Sequence, residues 1–472
     1  MVQSQWLRRL ALVGALAAGY FVAGKLGLRV AFVNPSATPV WPPTGIALVG
    51  FVLLGYDVWP AVLLSAFLVN LTTAGSVATS VGIAVGNTLE GLVGAYLVNR
   101  FARGRRAFDR APDVFKFALL AGVVSTAVSA TAGAAIVSLG GLARWADFGS
   151  IWATWWLGDA VGDLVVAPAV LLWSMHPRVH WRRRQTLEAA ALLLCVIVVG
   201  LVVFGGLYPS DVKNYPLEFL CVPFLVWAAF RFAPRGAAAA VVVLSAVAIA
   251  GTLRGFGPFA RATPNESLLL LQAFMGVMAL MTLVLAAVVA ERKEGEERLR
   301  RLAVSDPLTG LGNYRELVSA LAAEIGRSDR TDRPFAVVLL DLDGLKAIND
   351  RYGHMVGSMA LRRVAEMLHA SCRRMDTAAR FGGDEFALVL PETGEAAAWL
   401  VARRITDRVA RDGETPAISV SAGVAVHPRD GATLEALVNS ADRALYESKA
   451  RRRDAGRVGS LSGGGPEAFP AR

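Results

Sequence analysis

From Ala11 to Ala290 the chain is a succession of apolar stretches separated by short arginine-bearing gaps, and few folds accept such a pattern. The stretches fall at 11–33, 43–56, 58–73, 79–99, 113–139, 150–175, 187–208, 217–232, 236–252 and 267–290. A helix needs about 20 apolar residues to cross the hydrocarbon of a bilayer. Most of these stretches reach that length. Those at 43–56, 58–73 and 217–232 fall short and suit tilted or re-entrant segments. The expectation is a multi-span α-helical membrane domain over residues 1–290, with roughly eight to ten helices. The first stretch is long, lacks a small-x-small cleavage site and is followed by many more, so it does not read as a cleavable signal peptide.

Charge gives these spans an orientation. Basic clusters lie at Arg8–Arg9, at Arg100, Arg103, Arg105, Arg106 and Arg110, at Arg178 and Arg182–Arg184, and at Arg292–Arg301. The ten stretches place four, two and four spans between successive clusters, so all four clusters share one side. Positively charged loops favour the cytoplasm, which puts the chain after residue 290 in the cytosol. The net charge of +10 therefore comes from membrane flanks rather than one continuous basic groove, and no nucleic-acid partner is expected. Apolar residues make up 54% and charged residues 18%, against about 25% charged in soluble domains. An ordinary soluble enzyme and a disordered chain are both excluded as the whole answer. Three cysteines without a CxxC pattern support neither a disulfide scaffold nor a zinc site.

The composition changes near residue 290. Residues 291–304 (ERKEGEERLRRLAV) are charged helix formers that continue the last span as a helical linker. Leu299 and Leu302 have apolar helical spacing, consistent with either a solvated spacer or a short parallel coiled coil, and Gly295 opposes rigidity. Residues 305–454 read as an alternating α/β domain. Asp306-Pro307 has the form of a helix start. Phe335–Leu342 reads as a buried strand, Met359–Ala370 as a helix, and Ala378–Phe381 with Phe386–Leu390 as a hairpin around Gly-Gly. Glu395–Arg411 reads as a helix, Ala417–Val426 as a strand and Leu434–Ala450 as a helix. The Gly-, Ser- and Arg-rich tail at 455–472 reads as disordered.

The chemistry gathers at strand ends. Asp341 and Asp343 lie where an apolar strand runs out, and period-two alternation gives them one face of the sheet. Asp384 and Glu385 lie at the hairpin tip. Acids so placed suit hard cations with oxygen ligands, and magnesium takes the rest of its shell from water and phosphates. Two such ions can assist the attack of one oxygen on phosphorus while pyrophosphate leaves. Either acid pair alone is commonplace on a surface loop. Asp343-Gly344-Leu345-Lys346 leads from strand into a short helix whose N-terminal amides favour phosphate. Lys346, Lys449 and Arg453 supply positive charge, and the Asn349 amide can both donate to and accept from a base edge.

Together these residues resemble the GGDEF family of diguanylate cyclases. Gly382-Gly383-Asp384-Glu385-Phe386 is the GGDEF string itself. Asp306-Pro307-Leu308-Thr309-Gly310-Leu311 resembles the family's DPLTGL, and Asp341-Leu342-Asp343 through Asn349-Asp350 its DxDxFKxxND. Gly353-His354 matches its GH element, and Ala441 through Lys449 its ADxALYxAK helix. The resemblance covers roughly residues 300–455 and implies a ferredoxin-like palm related to nucleotide cyclases. It implies two facing domains in a homodimer, each holding one GTP, that give cyclic di-GMP and two pyrophosphates. By position, Asp341, the Leu342 carbonyl and Asp384 would bind Mg2+ or Mn2+, two per active site. Asp384 would also be the candidate general base, with Glu385 a further acid. Asn349 would read guanine, His354 would lie near the nucleotide, and Lys346, Lys449 and Arg453 would hold phosphates. Arg373 to Asp376 forms an RxxD with five residues between it and Gly382, which resembles the family's inhibitory product-site pattern, with Arg404 as a contributor from the next helix. The alternative for RxxD is an ion pair at a helix end.

Three positions depart from the family pattern. Leu345 stands where Phe is usual, a change of apolar packing. Arg452 replaces a Gly before Arg453. Ser358 stands nine residues after Asn349, where an Asp usually accepts the guanine N1–H and amino group. A hydrogen bond to a charged group contributes about 1.5–3 kcal/mol, so guanine selectivity should fall, with cyclic GMP-AMP as a mixed product.

The membrane half resembles the integral membrane sensor domain of the MASE type, first class, over about residues 10–290. Val40-Trp41-Pro42-Pro43-Thr44-Gly45-Ile46-Ala47 and the Gly55 to Trp59-Pro60 segment carry the likeness. So do Trp155-Trp156-Leu157-Gly158-Asp159-Ala160, Gly162-Asp163 and Ala167-Pro168. It implies an input module in a bacterial inner membrane. Asp159 and Asp163 are four apart and share a helix face inside an apolar span. Such acids are costly unless paired or hydrated, so they read either as a ligand, ion or proton site or as polar packing against Trp or Asn partners such as Asn70 and Asn87. Three functional classes follow: a membrane-tethered cyclase, a catalytically inactive nucleotide receptor, and a transporter regulated by its cytoplasmic domain.

Overall fold

The structure is a computed structural model that describes residues 2–29, 38–73, 76–175, 181, 183–206 and 217–461, without the side chains of 2–6, 299–302 and 452–461. Arg178, Arg182, the side chains of Leu299, Leu302, Arg452 and Arg453, and residues 462–472 lie outside the described residues. The chain forms two compact units, Met1–Glu294 and Gly295–Arg472.

The regular elements described in the first unit are all helices. Its elements are α1 Val2–Arg29, α2 Pro42–Leu54, α3 Trp59–Leu71, α4 Val77–Phe101, α5 Ala111–Phe117, α6 Thr126–Leu139, α7 Phe148–Val161, α8 Ala167–Met175, α9 Arg183–Phe204, α10 Val222–Leu253 and α11 Pro264–Val304. Among the described residues, seven helical runs are long and apolar enough to cross a membrane, and Pro42–Leu54 and Tyr56–Leu71 are shorter apolar helices. Proline opens α2, and Pro60 lies in the first turn of α3, where a missing N–H costs nothing. The expected stretches 217–232 and 236–252 meet in one run interrupted at Ala233 (φ 55°, ψ −176°). Pro234 explains the interruption, because its ring removes an N–H and disfavours a helical residue before it.

Two π-helical turns interrupt long helices, Ala118–Ser125 between α5 and α6 and Gly162–Val166 between α7 and α8. The second is where the start of α2 crosses closest. A Cβ on Gly45 would lie 2.6 Å from the Gly162 oxygen, and one on Gly162 would collide with the Trp41 oxygen. Trp41 N donates to Gly158 O at 3.0 Å across the same crossing. The two sequence elements of the membrane half thus form one backbone-to-backbone contact that only glycine permits.

The second unit is a four-stranded antiparallel sheet covered by helices. Its elements are α12 Tyr314–Thr331, β1 Phe335–Leu342, α13 Leu345–Tyr352, α14 His354–Ser371, β2 Thr377–Arg380, β3 Glu385–Leu390, α15 Glu395–Ala410, β4 Val420–His427 and α16 Leu434–Leu461. The strand order β2-β3-β1-β4, with helices after β1 and β3, is the ferredoxin-like arrangement expected. All eight residues of β1 are buried because both faces are covered, so the strand reads as an apolar run and not as an alternation. Val338, Leu340 and Leu342 pack with α14 and α15, while Phe335, Val337 and Leu339 pack with Leu317 of α12 and Leu437 of α16.

Two expectations are corrected. No helix starts at Asp306. Its carboxylate instead accepts from Thr309 N (2.8 Å) and Thr309 Oγ1 (2.6 Å), closing a turn that Gly310 leaves at φ 73°. The helix begins at Tyr314, capped by Asn313, whose Oδ1 accepts from Arg315 N and Glu316 N. The segment expected to be disordered from residue 455 is helical as far as Leu461, because α16 continues to that point.

Candidate active site at the β1 end and the hairpin tip

Register brings the acids together. Asp341 on central β1 is opposite Glu385 on β3 and Ser421 on β4. Leu342 N donates to Asp384 O at 2.9 Å, which ties the hairpin tip to the end of β1. Asp341 is 7% exposed, and Lys449 of α16 reaches its Oδ1 at 2.7 Å. The side chain of Glu385 folds back over Gly382, where a Cβ would collide with its Oε2.

The electrostatics are those of crowded acids. Burial pushes the Asp341 carboxyl up; Lys449 opposes this, and the Asp384 and Asp343 charges add to it. Burial also raises Glu385, helped by the charges of Asp341, Asp384 and Asp442 and opposed by Lys449. Several carboxylates share one lysine, and that excess of negative charge fits divalent cations. Among the described residues no three His, Cys, Asp or Glu side chains form a closed metal cage. Two carboxylates and a main-chain carbonyl, completed by nucleotide phosphates, are the open kind of set that magnesium uses.

Asp343 behaves differently from Asp341. Ser419 Oγ and Ser421 Oγ each donate to it at 2.8 Å, and Asp343 N donates to Ser419 O. The Ser-Val-Ser alternation at the start of β4 turns both hydroxyls to Asp343, a signal that sequence reading passed over. Arg380 was also missed. Its Nη1 lies 3.2 Å from Asp306 Oδ1 and its Nη2 donates to Gly383 O at 2.7 Å, so it clamps the opening turn to the GGDEF hairpin. Burial would raise the Asp306 carboxyl, but the Thr309 and Arg380 hydrogen bonds outweigh it and hold the carboxyl below the usual range.

The nucleotide-side candidates lie on α13 and α14. Gly344 (φ 71°) turns the chain into α13, and Gly353 (φ 86°) turns it from α13 into α14. Asn349 is half-buried, and a Cβ on Gly357 would collide with its Oδ1, so the helices meet at this amide. Ser358, half-buried, follows directly. Lys346 and His354 are exposed. In the RxxD segment Asp376 Oδ2 accepts from Arg373 N at 2.7 Å, leaving the Arg373 side chain exposed. The helix-end ion pair is thus replaced by a backbone cap. Arg404 Nη2 donates to Ser371 O at 2.9 Å, at the end of α14.

In the membrane unit Asp159 and Asp163 are each 1% exposed. Asp159 accepts from Thr44 Oγ1 at 3.0 Å and Ser129 Oγ at 2.5 Å. Of the partners expected from sequence, Asn87 is engaged with Tyr20 and Asn70 with Ala66 O, whereas the Trp155 side chain hydrogen-bonds Asp159. Glu90, also 1% exposed, is a third buried acid that sequence reading did not single out.

Comparison with known proteins gives the same division. The MASE1 family model matches residues 12–293, and the model "Diguanylate cyclase, GGDEF domain" matches residues 303–455. The bifunctional diguanylate cyclase/cyclic di-GMP phosphodiesterase MucR of Pseudomonas aeruginosa is 32% identical over 311 residues, 65% of this chain and 42% of MucR. Diguanylate cyclase DosC of Escherichia coli is 39% identical over 168 residues, 34% of this chain and 36% of DosC. The chain thus spans less than half the length of either relative. The crystal structure of the coiled coil and GGDEF domain of DgcB from Caulobacter crescentus with c-di-GMP covers 35% of this chain and 90% of its own, at 29% identity and a TM-score of 0.33. The chain belongs to the MASE1 family of membrane sensor domains and carries a GGDEF domain behind that membrane half.

Proposed function

We propose that the protein is a membrane-embedded diguanylate cyclase that condenses two GTP into cyclic di-GMP and two pyrophosphates under control of its MASE1 half. The observation that carries this reading is the convergence of Asp341, Asp384 and Glu385 beside Lys449. Asp341, the Leu342 carbonyl and Asp384 would hold Mg2+ or Mn2+, two ions per site, which when bound neutralise the triphosphate charge. Asp384 takes the proton of the attacking 3′-hydroxyl, and Lys346, Lys449 and Arg453 orient phosphates. Asn349 meets the guanine edge, with His354 near the nucleotide. One domain supplies half of the reaction, so two copies act face to face as a homodimer. Arg373 and Asp376 hold cyclic di-GMP as a feedback inhibitor. The setting is a bacterial inner membrane, with the cyclase in the cytoplasm.

Full-length protein in lipid nanodiscs, given magnesium and GTP, should release cyclic di-GMP and pyrophosphate. Nucleotide binding without turnover would support the inactive receptor instead. A second reading has its own observation. Ser358, beside the Gly357–Asn349 contact, offers a hydroxyl where a carboxylate would accept two guanine N–H groups. With GTP and ATP together, cyclic GMP-AMP should appear beside cyclic di-GMP.

A further inference from the structure

Asp159 lies on the wall of an internal chamber of about 70 Å³ in the membrane unit, lined among others by Trp41, Asn70, Asn87, Thr154 and Trp155. That volume holds several waters or one small organic cation. The wall carries one carboxylate, two indoles, amides and hydroxyls. We infer that this chamber binds a small protonated amine of ammonium or methylammonium size, with Asp159 as its counter-charge and the indoles of Trp41 and Trp155 as cation–π faces.

Charge balance is the first argument. Glu90, Asp159 and Asp163 are each 1% exposed, and no ion pair among the described residues reaches them. Intramembrane acids without a basic partner mark ligand or ion sites by default. Unmet hydrogen bonding is the second. Behind the lining residues, Glu90 Oε1, Asp163 Oδ1 and Oε1 of Gln272, a neutral side chain with no exposure, have no hydrogen-bond partner among the described residues. The Gln272 amide nitrogen is held by two chamber-wall residues, donating to Thr38 O at 3.1 Å and Thr154 O at 3.4 Å. Asp159 accepts the Thr44 and Ser129 hydroxyls, one on each oxygen, and the Trp155 side chain is a third partner, which leaves one of its four acceptor positions for a further N–H donor. The rim already seats an ammonium: Lys25 Nζ donates to Thr72 O (3.0 Å) and Thr73 Oγ1 (3.1 Å). An indole face adds attraction for a nitrogen cation that a hydroxyl-only cage lacks, which favours an amine over an alkali ion.

Position gives the direction of entry. The chamber reaches Leu28 at the end of α1, Asn70 and Thr73 at the end of α3, and Thr79 at the start of α4. These are the helix ends opposite the arginine clusters at Arg8–Arg9 and Arg100–Arg110, so the amine enters from the extracytoplasmic side. This inference rests on the membrane reading alone and not on the cyclase.

The test is equilibrium binding of radiolabelled methylammonium to the full chain in lipid nanodiscs at one fixed neutral pH. Saturable binding is expected, displaced by ammonium but not by sodium or by the bulkier tetramethylammonium. Asp159→Asn should weaken it about tenfold or more, the scale of a lost hydrogen bond to a charged group. Trp155→Leu, which keeps the acid and removes one indole, should weaken it too and covers the case in which Asp159→Asn does not fold. No saturable binding, equal binding by both folded variants, or displacement by sodium as effective as by ammonium would each overturn the inference. Because the readout is binding, either result leaves the cyclase reading to its own assay.

Discussion

Lys449 Nζ lies 2.7 Å from Asp341 Oδ1, so α16 of the GGDEF unit supplies an ammonium at the buried end of its central strand. The pair joins two segments more than a hundred residues apart. It offsets part of the charge that Asp341, Asp384 and Glu385 bring to one place.

Replacing that lysine tests its part directly. Lys449→Met leaves Asp341 buried without its cation, and both the phosphate contact and the folded site should suffer. Cyclic di-GMP formation should fall at least about tenfold, as expected for a lost charge-assisted hydrogen bond. The check is the initial rate of full-length protein in nanodiscs at saturating magnesium. A rate within twofold of wild type would remove Lys449 from the site.

Acidity should couple to cation binding with a definite sign. Asp341 and Glu385 have carboxyls raised in the folded state. A raised carboxyl contributes stability below its unfolded value and loses that contribution as pH rises through the folded value. At neutral pH these acids therefore oppose folding until a cation joins them. Magnesium should raise Tm most near neutral pH, and the gain should vanish as pH falls through the raised values. Glu385→Gln should raise the Tm of metal-free protein at neutral pH while lowering turnover about 100-fold. Thermal denaturation across pH, with magnesium and with a chelator, decides the matter; an equal magnesium effect at all pH values would contradict it.

On the proposed reading, Ser358 is a selectivity position that can be rewritten. Ser358→Asp restores two acceptor oxygens and a charge beside Asn349. The ratio of cyclic di-GMP to cyclic GMP-AMP from equimolar GTP and ATP should rise about tenfold. Mass analysis of the products measures that ratio, and an unchanged ratio would show that the base edge lies elsewhere.

The RxxD segment separates two roles. Arg373 is free to meet a ligand, whereas Asp376 already accepts the Arg373 amide at 2.7 Å. Arg373→Ala should leave the initial velocity unchanged and weaken inhibition by added cyclic di-GMP about tenfold. Asp376→Ala should also loosen the turn before β2. Dose–response curves with added product compare the two. Wild-type inhibition in Arg373→Ala would sink the product-site reading.

Much of this organisation was legible because each signal is local. Apolar length marked the membrane helices, and the run Phe335–Leu342 marked a strand buried on both faces. Ordered motifs marked the acids of the GGDEF unit. What escaped depends on contacts distant in sequence. Asp306 has the composition of a helix cap, yet Thr309, Gly310 and Arg380 draw it into a turn, and Arg380 lies 74 residues away. Glu90 sits in an ordinary apolar helix, and only the packing of α4 on α6 brings it near Asp159. The π-helical turn at Gly162 has no sequence signature of its own, although the glycine that permits it is visible.

That glycine supports a last prediction. A Cβ on Gly162 would collide with the Trp41 oxygen, a backbone atom that cannot rotate away. Gly162→Ala should push α2 off α7, breaking the Trp41 N to Gly158 O bond and shifting Thr44 from Asp159. Overpacking of this kind typically costs about 1–3 kcal/mol. Gly276 is the matched control, because its nearest neighbours would be Leu164 Cδ1 at 3.7 Å and Val161 Cγ2 at 4.0 Å, ordinary contact distances. In detergent or nanodiscs, Gly162→Ala should show a lower Tm and Gly276→Ala a Tm close to wild type. Equal stability of the two variants would mean that the start of α2 does not press on the π-helical turn.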